Sequence, residues 1–171
     1  MSKLQLIYYP EPVLTASNAA VDAVDGNIQT LIDDMIETMY AENGIGLAAP
    51  QIGESLKITV IDVSPEQNNP QIFINPEIIN KTNIINSEEG CLSIPGYRDV
   101  IKRSETITVK ARDREFKEFE LTADDILSRC LQHEIDHLNG ILFIDHLGRL
   151  KKQLFKKWFS KQDFSQDYSE E

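Results

Sequence analysis

The residues in this sequence best suited to chemistry are two histidines four positions apart, His133 and His137, with Glu134 directly after the first. Side chains four residues apart on a helix leave the same face, so both imidazoles could bind one metal ion. Glu134 would then move protons of a water at the metal rather than bind the metal itself. The spacing therefore predicts a water-activating metal site, provided that the segment is helical.

The residues around the two histidines favour a helix. Thr122 stands before two acidic residues, a pattern typical of a capped helix start, and Asn139 with Gly140 provides a stop. Between these limits, two neighbouring stripes recur at helical spacing and predict a buried helix: Ile126, Cys130, His133 and His137, and Leu127, Leu131, Glu134 and Leu138. The alternative is a core helix whose histidines only form structural hydrogen bonds.

A catalytic zinc-type centre holds three protein ligands and keeps one position open, so a third ligand is required. The extended pattern of one metalloprotease group continues here as far as Gly140, but Phe143 stands where its third histidine belongs. His146, the remaining histidine, follows a predicted turn. We therefore expect the third ligand upstream of the helix, in the strands that precede it.

The segments before the helix predict an α+β fold. Apolar residues at helical spacing indicate a first helix over 27–42, and residues 44–53 form an apolar loop that either packs on the core or lines a pocket. The β-branched and alternating segments that follow predict an antiparallel or mixed sheet between the two helices: 57–63, 71–75, 77–85, 97–102, 106–111 and 115–121.

Cys91 lies within this block, in a segment constrained by Gly90 before it and Pro95 after it. A thiolate is a good ligand for zinc or ferrous iron. A lone cysteine is more often a small buried apolar residue, and that is the better reading of Cys91 from its own segment. The same reading applies to Cys130, which the apolar stripe of the helix already explains.

Composition sets the class of protein. The chain has 171 residues, enough for one domain, with 17 basic and 28 acidic residues and a net charge of −11, which argues against general nucleic-acid binding. We find no signal peptide, no transit peptide and no apolar run that could span a membrane. A single pair of cysteines favours a reduced setting, so we expect a cytoplasmic, bacterial protein rather than an organellar one.

Three segments together resemble the motifs of peptide deformylases, in the same order and at similar separations. They are 44–53 (GIGLAAPQIG), 89–95 (EGCLSIP) and 132–140 (QHEIDHLNG), and the opening residues 9–14 (YPEPVL) are also similar to the start of that family. The resemblance covers about residues 4–150. The sequence departs from the family at Thr15, where an arginine is usual, and at Phe116, where a glycine is frequent.

The resemblance implies a function and a site. Its fold is α+β, with small antiparallel and mixed sheets around the central metal-binding helix, and its activity is removal of the N-formyl group from the initiator methionine of nascent polypeptides. One divalent ion would be held by Cys91, His133 and His137. Glu134 would be the acid and base, while Gln51 and the Leu92 backbone N–H would bind the oxyanion. Fe²⁺ would be the working ion, with Zn²⁺, Ni²⁺ or Co²⁺ also accepted.

The same resemblance places the substrate. Methionine needs an apolar pocket, and the other residues expected there are small or charged residues beside an extended peptide. The residues expected to bind substrate are Ile45, Gly46, Glu89, Gly90, Arg98, Ile126, Arg129 and Cys130. Two rival functions are a zinc endopeptidase on the same helix, against which Phe143 counts, and a non-catalytic protein with a structural metal, which would need a fourth ligand.

The C-terminal segment reverses the charge of the chain. Residues 148–161 predict a basic helix with six basic residues, followed by an acidic tail over 162–171. Helical spacing places Leu147, Leu150, Leu154 and Trp158 on one stripe, which we expect to be the buried face. The basic face is either simply solvated or, as the resemblance to deformylases of the Gram-negative kind suggests, contacts the ribosome. We expect no membrane partner and no sequence-specific nucleic-acid partner.

Overall fold

The computed structural model describes residues 2–162, in which three α-helices accompany one β-sheet. The elements follow in the order α1 (Gly26–Ala41), β1 (Gly46–Ala48), β2 (Ile58–Ile61), β3 (Gln71–Cys91), β4 (Ile94–Arg112), β5 (Glu118–Asp124), α2 (Asp125–Leu138) and α3 (Arg149–Ser160). Short 3-10 helices lie at Pro12–Thr15, Ala49–Ile52 and Phe143–His146. The predicted α+β class is confirmed, and the part of the acidic tail from residue 163 onward lies outside the described residues.

The five strands form one sheet in sequence order, and every neighbouring pair is antiparallel. The four middle segments predicted as separate strands merge into β3 and β4, which pair from Ile74 with Arg112 to Cys91 with Ile94. Irregularities in the pairing after Ile74 and Ile78 let this long hairpin bend. The hairpin carries Cys91 to its far end, beside α2.

Helix α2 packs against the sheet, as its apolar stripes predict, and Leu131 and Ile135 belong to its buried face. The predicted cap at Thr122 is wrong. Thr122 belongs to β5, where it pairs with Thr108 of β4, and the helix begins only after Asp124. Residues up to Asp124 remain extended because β4 supplies their hydrogen-bonding partners.

The end of α2 is where the sequence predicts it. Asn139 is the C-cap residue that follows Leu138, and Gly140 has φ +73°, a left-handed conformation that favours glycine. A Cβ on Gly140 would lie 2.8 Å from the carbonyl oxygen of Thr15, so the N-terminal segment packs directly on this turn.

Helix α3 docks through a face that matches the predicted one only in part: Leu147 and Trp158 pack on the core, but Leu150 and Leu154 do not. Leu150 and Leu154 are 68% and 55% exposed, whereas Phe155 is only 3% exposed and packs with Trp158 and Tyr9. Helical spacing alone does not determine which face of α3 is buried. Phe155 packs against aromatic side chains of the N-terminal segment and of β4, and these contacts fix the buried face. Two leucines and several basic residues therefore point outward.

The apolar loop over 44–53 satisfies both alternatives that its sequence left open. Leu47, Ala48 and Ala49 are fully buried, in β1 and at the start of the following 3-10 helix. Ile45 and Gln51, in the same segment, face a cavity.

Of the helices within residues 2–162, none has the length and apolar character needed to cross a membrane.

The structure accounts for one of the two departures from the family pattern, the one at Phe116. Its φ of +65° is the left-handed conformation that glycine adopts most easily, which explains why a glycine would suit this turn. The Arg112 guanidinium lies 4.5 Å from the centre of the Phe116 ring and donates a hydrogen bond to its carbonyl oxygen. The whole of β5 separates this turn from the start of α2.

Candidate metal centre and active site

Three side chains of ligand type converge where the end of β3 meets α2. The Nε2 atoms of His133 and His137 lie 3.2 Å apart, and the Sγ of Cys91 is 3.4 Å from the Nε2 of His137. Their donor atoms all lie within 4.8 Å of one another. Helical spacing brings the two histidines together. The β3–β4 hairpin supplies the third residue, Cys91, which lies upstream in the sequence.

This arrangement fits a single metal ion. Bond lengths for tetrahedral zinc place neighbouring nitrogen ligands about 3.4 Å apart and a nitrogen and a sulfur about 3.6 Å apart. The observed separations of 3.2 and 3.4 Å are close to these values. Two imidazoles and one thiolate suit zinc or ferrous iron, and this donor group has three members within residues 2–162, which leaves a coordination position open.

A second layer of charged residues holds His133. Its Nδ1 lies 2.9 Å from Oε1 of Glu89, which leaves Nε2 free to face the metal position. Arg103 donates two hydrogen bonds of 2.8 Å to Glu89 and one of 2.6 Å to Asp136, whose carboxylate also contacts His146. The Nδ1 of His137, by contrast, has no hydrogen-bond partner within residues 2–162.

Arg103 was missed by sequence reasoning, although a signal existed. It lies two residues after the buried Ile101 in β4, so both side chains point to the same inner face. An arginine at an inward strand position needs a carboxylate partner, and Glu89 is the partner. Burial alone would raise the pKa of Glu89, but the hydrogen bonds from Arg103 and His133 lower that pKa to about 2.

Glu134 faces the cavity without joining the donor group. It is 4% exposed, and its Oε2 has no hydrogen-bond partner within residues 2–162. Burial raises the pKa of Glu134 to about 7. A Cβ on Gly46 would lie 2.6 Å from Oε1 of Glu134, so a larger residue at position 46 would displace this carboxylate. A buried carboxyl that is not committed elsewhere can accept and return a proton.

Gln51 is held rigidly beside the ligand thiol. Its Oε1 accepts a hydrogen bond from the Ala48 backbone N–H, and its Nε2 lies 3.1 Å from Oγ of Ser93 and 3.6 Å from Sγ of Cys91. Leu92 follows Cys91 in the turn between β3 and β4 and lines the same cavity. The fixed amide N–H of Gln51 is therefore aimed at the region next to the metal position.

A cavity of about 550 Å³ opens onto these residues. All eight residues predicted to bind substrate line it, and their binding of substrate stays a prediction. Ile45 and Ile126 expose 44% and 43% of their surface, so both offer apolar surface to the cavity. Lining residues that the sequence analysis did not name are Asn43, Gly44, Ser87, Glu88, Ile94, Gly96 and Tyr97.

One detail differs from the expected roles of residues near the cavity. The side of Gly90 on which a Cβ would project is occupied by Arg98, whose Nη1 would lie 2.9 Å away, just as Glu134 occupies that side of Gly46. These glycines therefore make room for neighbouring side chains. Burial raises the pKa of the Cys130 thiol well above its usual value, which agrees with a lining residue rather than a ligand.

The chain is similar to known proteins over most of its length. The model of the polypeptide deformylase family matches residues 3–153. A peptide deformylase of Thermodesulfovibrio yellowstonii is 49% identical over 161 residues, which are 93% of this chain and 98% of that protein. A peptide deformylase of Chromobacterium violaceum is 44% identical over 95% of this chain and 98% of that protein. The crystal structure of a peptide deformylase from Legionella pneumophila is 43% identical, with a TM-score of 0.86 over 95% of this chain and all of that one.

Proposed function

Since the chain belongs to the polypeptide deformylase family, we propose that Cys91, His133 and His137 hold the divalent metal of a deformylase active site. As a member of this family the chain is a metal-dependent hydrolase that removes the N-formyl group from nascent polypeptides. The observation that carries the assignment of residues is the convergence of three donor atoms beside the buried Glu134, at the wall of a cavity.

The chemistry at this site divides between the metal and the protein. A divalent ion held by Cys91, His133 and His137 would supply Lewis acidity to polarise the formyl carbonyl and activate water. Glu134 accepts the proton of the attacking water and then donates it to the amine that leaves. The Gln51 amide and the Leu92 backbone N–H donate hydrogen bonds to the oxyanion, which exists only near the transition state.

The two rival functions have less support. An endopeptidase of the extended metalloprotease pattern needs a ligand at position 143, but Phe143 stacks on the His133 ring with the ring centres 6.0 Å apart. A purely structural metal needs a closed site, whereas the donor group within the described residues has three members. His146 contacts Asp136 and Arg103 instead of joining the donors.

Substrate selectivity provides the test of this function. Formyl-methionyl peptides should release formate and a free amine, and the matched acetyl-methionyl peptides should not react, since the extra methyl group needs space beside the attacked carbon. Cleavage of an internal peptide bond without formate release would favour the endopeptidase and reject the proposal.

The working ion is proposed to be Fe²⁺, because a thiolate with two imidazoles suits this ion. The same donors also bind Zn²⁺, Ni²⁺ or Co²⁺, and zinc lies above ferrous iron in the usual order of affinity. A purified sample is therefore expected to contain whichever of these ions was available. The location is proposed to be the cytoplasm, where newly made formylated chains appear.

We expect Gln51→Ala to lower kcat by about a hundredfold while the metal content stays unchanged, since one oxyanion donor is removed and no ligand is touched. Steady-state kinetics with metal analysis of the same preparation measures both. Ser93→Ala is the matched control, because it removes the 3.1 Å contact to Gln51 without removing the donor. Equal kcat values for Gln51→Ala and the unaltered protein would exclude Gln51 from catalysis.

A ribosome contact is proposed for the outward face of α3, where Leu150 and Leu154 lie exposed among exposed basic residues. Within residues 2–162 only Lys151 of the six basic residues on this segment forms an ion pair, with Asp99. The other five can meet phosphates of ribosomal RNA, and such binding weakens steeply with added salt.

We expect the triple substitution Lys152→Gln, Lys156→Gln and Lys157→Gln to weaken ribosome binding and to make it less dependent on salt. Co-sedimentation with ribosomes over a salt series measures this. The control carries Lys81→Gln, Lys102→Gln and Lys117→Gln, which remove the same charge away from α3. Identical binding by the two variants would show that the basic face of α3 is only solvated.

A further inference from the structure

The two histidines of the metal centre are held in different ways. The Nδ1 of His133 lies 2.9 Å from Oε1 of Glu89, so a carboxylate sets the orientation of that ring. The Nδ1 of His137 is buried and has no hydrogen-bond partner within residues 2–162. The position of the His137 ring therefore depends on the packing around it and on the backbone that carries it.

That backbone belongs to the last turn of α2, which ends at Leu138. Helix ends fray easily, because their last carbonyl groups have no partner inside the helix. Residues 139–141 donate hydrogen bonds to three of the last four carbonyl groups of α2, those of residues 135–137. These bonds are local, so they preserve the shape of the turn but do not fix its position relative to Cys91.

The fourth carbonyl, that of Leu138, is bonded by a residue from a distant part of the chain. The side-chain amide of Asn18 donates to this oxygen at 2.9 Å and lies 3.5 Å from the carbonyl oxygen of His137. The same N-terminal segment contacts the turn that follows the helix, where the Thr15 carbonyl lies against Gly140. Asn18 therefore caps the last turn of α2 from outside the helix.

The segment that carries Asn18 is itself fixed to the sheet. The backbone of Ala19 forms two hydrogen bonds of 2.9 Å with residues 55–57, directly before β2. The side chain of Asn75 in β3 forms two hydrogen bonds of 2.8 Å with the backbone of Val21. The end of α2 is therefore tied to the sheet through this segment.

We propose that Asn18 is a positioning residue for the metal ligand His137. Its amide holds the last turn of α2 in place, so that Nε2 of His137 stays beside Sγ of Cys91, 3.4 Å away. This role rests on the assignment of His137 and Cys91 as ligands, and Asn18 does not line the cavity itself. Because an ion escapes when one of its ligands moves away, Asn18 slows the release of the metal.

The rate at which the metal leaves tests this role. The full-length protein is loaded with one Ni²⁺ per chain, an excess of a chromogenic chelator is added, and the transfer of Ni²⁺ is followed by absorbance. Asn18→Ala should release Ni²⁺ about three- to tenfold faster than the unaltered protein, the factor to which loss of one hydrogen bond usually corresponds. The KM of the freshly loaded variant should stay unchanged, because the cavity is not altered.

Gln29→Ala is the matched control. The Gln29 amide of α1 donates to the carbonyl of Arg114, in the turn before β5, at 3.0 Å. This variant therefore loses the same kind of long-range hydrogen bond in a part of the fold that does not include α2. Its thermal unfolding temperature should fall about as far as that of Asn18→Ala, while its rate of Ni²⁺ release stays that of the unaltered protein.

Asn18→Asp separates position from charge, and it also serves if Asn18→Ala proves unstable. Aspartate keeps the size of the side chain but has no N–H group to donate to the Leu138 carbonyl. Loss of the donor should again accelerate the release of Ni²⁺. A purely electrostatic influence of the added negative charge on the cation would instead slow that release.

Unchanged or slower release of Ni²⁺ from Asn18→Asp would overturn the positioning role. Equal acceleration in Asn18→Ala and Gln29→Ala would also overturn it, because release would then only follow the loss of stability. Failure of the unaltered protein to bind one Ni²⁺ per chain would reject the metal site itself, and the role of Asn18 with it, so the two failures are distinguishable.

Discussion

Cys91→Ala should remove most of the bound metal and essentially all formate release. The two histidines remain one turn apart, but two ligands bind a divalent ion far more weakly than three, and the thiolate contributes a negative charge that imidazoles lack. The donor group within residues 2–162 consists of Cys91, His133 and His137, so no fourth side chain is in place there to replace the thiolate. Metal analysis of the purified variant, with activity measured in the same preparation, gives both quantities.

The chain supplies its own control in Cys130→Ala. Cys130 is buried in the same region and lines the cavity, but its thiol lies outside the donor group. This variant should retain the metal, with effects limited to methionine binding and to a modest loss of stability. Full metal content in Cys91→Ala, or equal metal loss in both variants, would contradict the assignment of the third ligand.

Glu134→Gln should keep the metal and lose formate release by a factor of about 10² to 10⁴, the range that general acid–base catalysis usually contributes. The substitution keeps the size of the side chain that fits against Gly46, so the packing around Oε1 is conserved. It removes the carboxylate that accepts and returns the proton. Single-turnover formate release together with metal analysis measures both effects.

Glu120→Gln serves as the control for Glu134→Gln, because it makes the same chemical change on an exposed position of β5. It should leave both rate and metal content unchanged. A parallel fall in metal content and activity in Glu134→Gln would instead show that Glu134 acts as a ligand or as a structural support of the site.

The local part of the site could be predicted from sequence, because it depends on one helix. The spacing of His133 and His137 and the stop at Gly140 are properties of neighbouring residues. Cys91 could not be assigned in this way, since a lone cysteine is usually a buried apolar residue. Its place beside the histidines depends on the full length of the β3–β4 hairpin.

Tertiary contacts explain what the sequence analysis missed in the fold. The first part of the β3–β4 hairpin was divided into the segments 71–75 and 77–85 because Asn75 and Pro76 interrupt the apolar pattern, although both remain within β3 and Asn75 has a positive φ. The buried face of α3 was placed on Leu147, Leu150, Leu154 and Trp158, and Leu147 and Trp158 do pack on the core. Phe155 is buried in place of Leu150 and Leu154, because Tyr9 and Tyr97 are its aromatic partners. Neither set of partners is visible from within a single segment.

Titration of the metal-free full-length protein with Ni²⁺ tests the metal-dependent deformylase site most directly. Formate release from a formyl-methionyl peptide should be negligible without metal, should increase in proportion to bound Ni²⁺, and should stop increasing at one ion per chain. The Cys91→Ala protein should show no such increase. Full activity of the metal-free protein, or no activity with one ion bound per chain, would contradict a deformylase centre built on Cys91, His133 and His137.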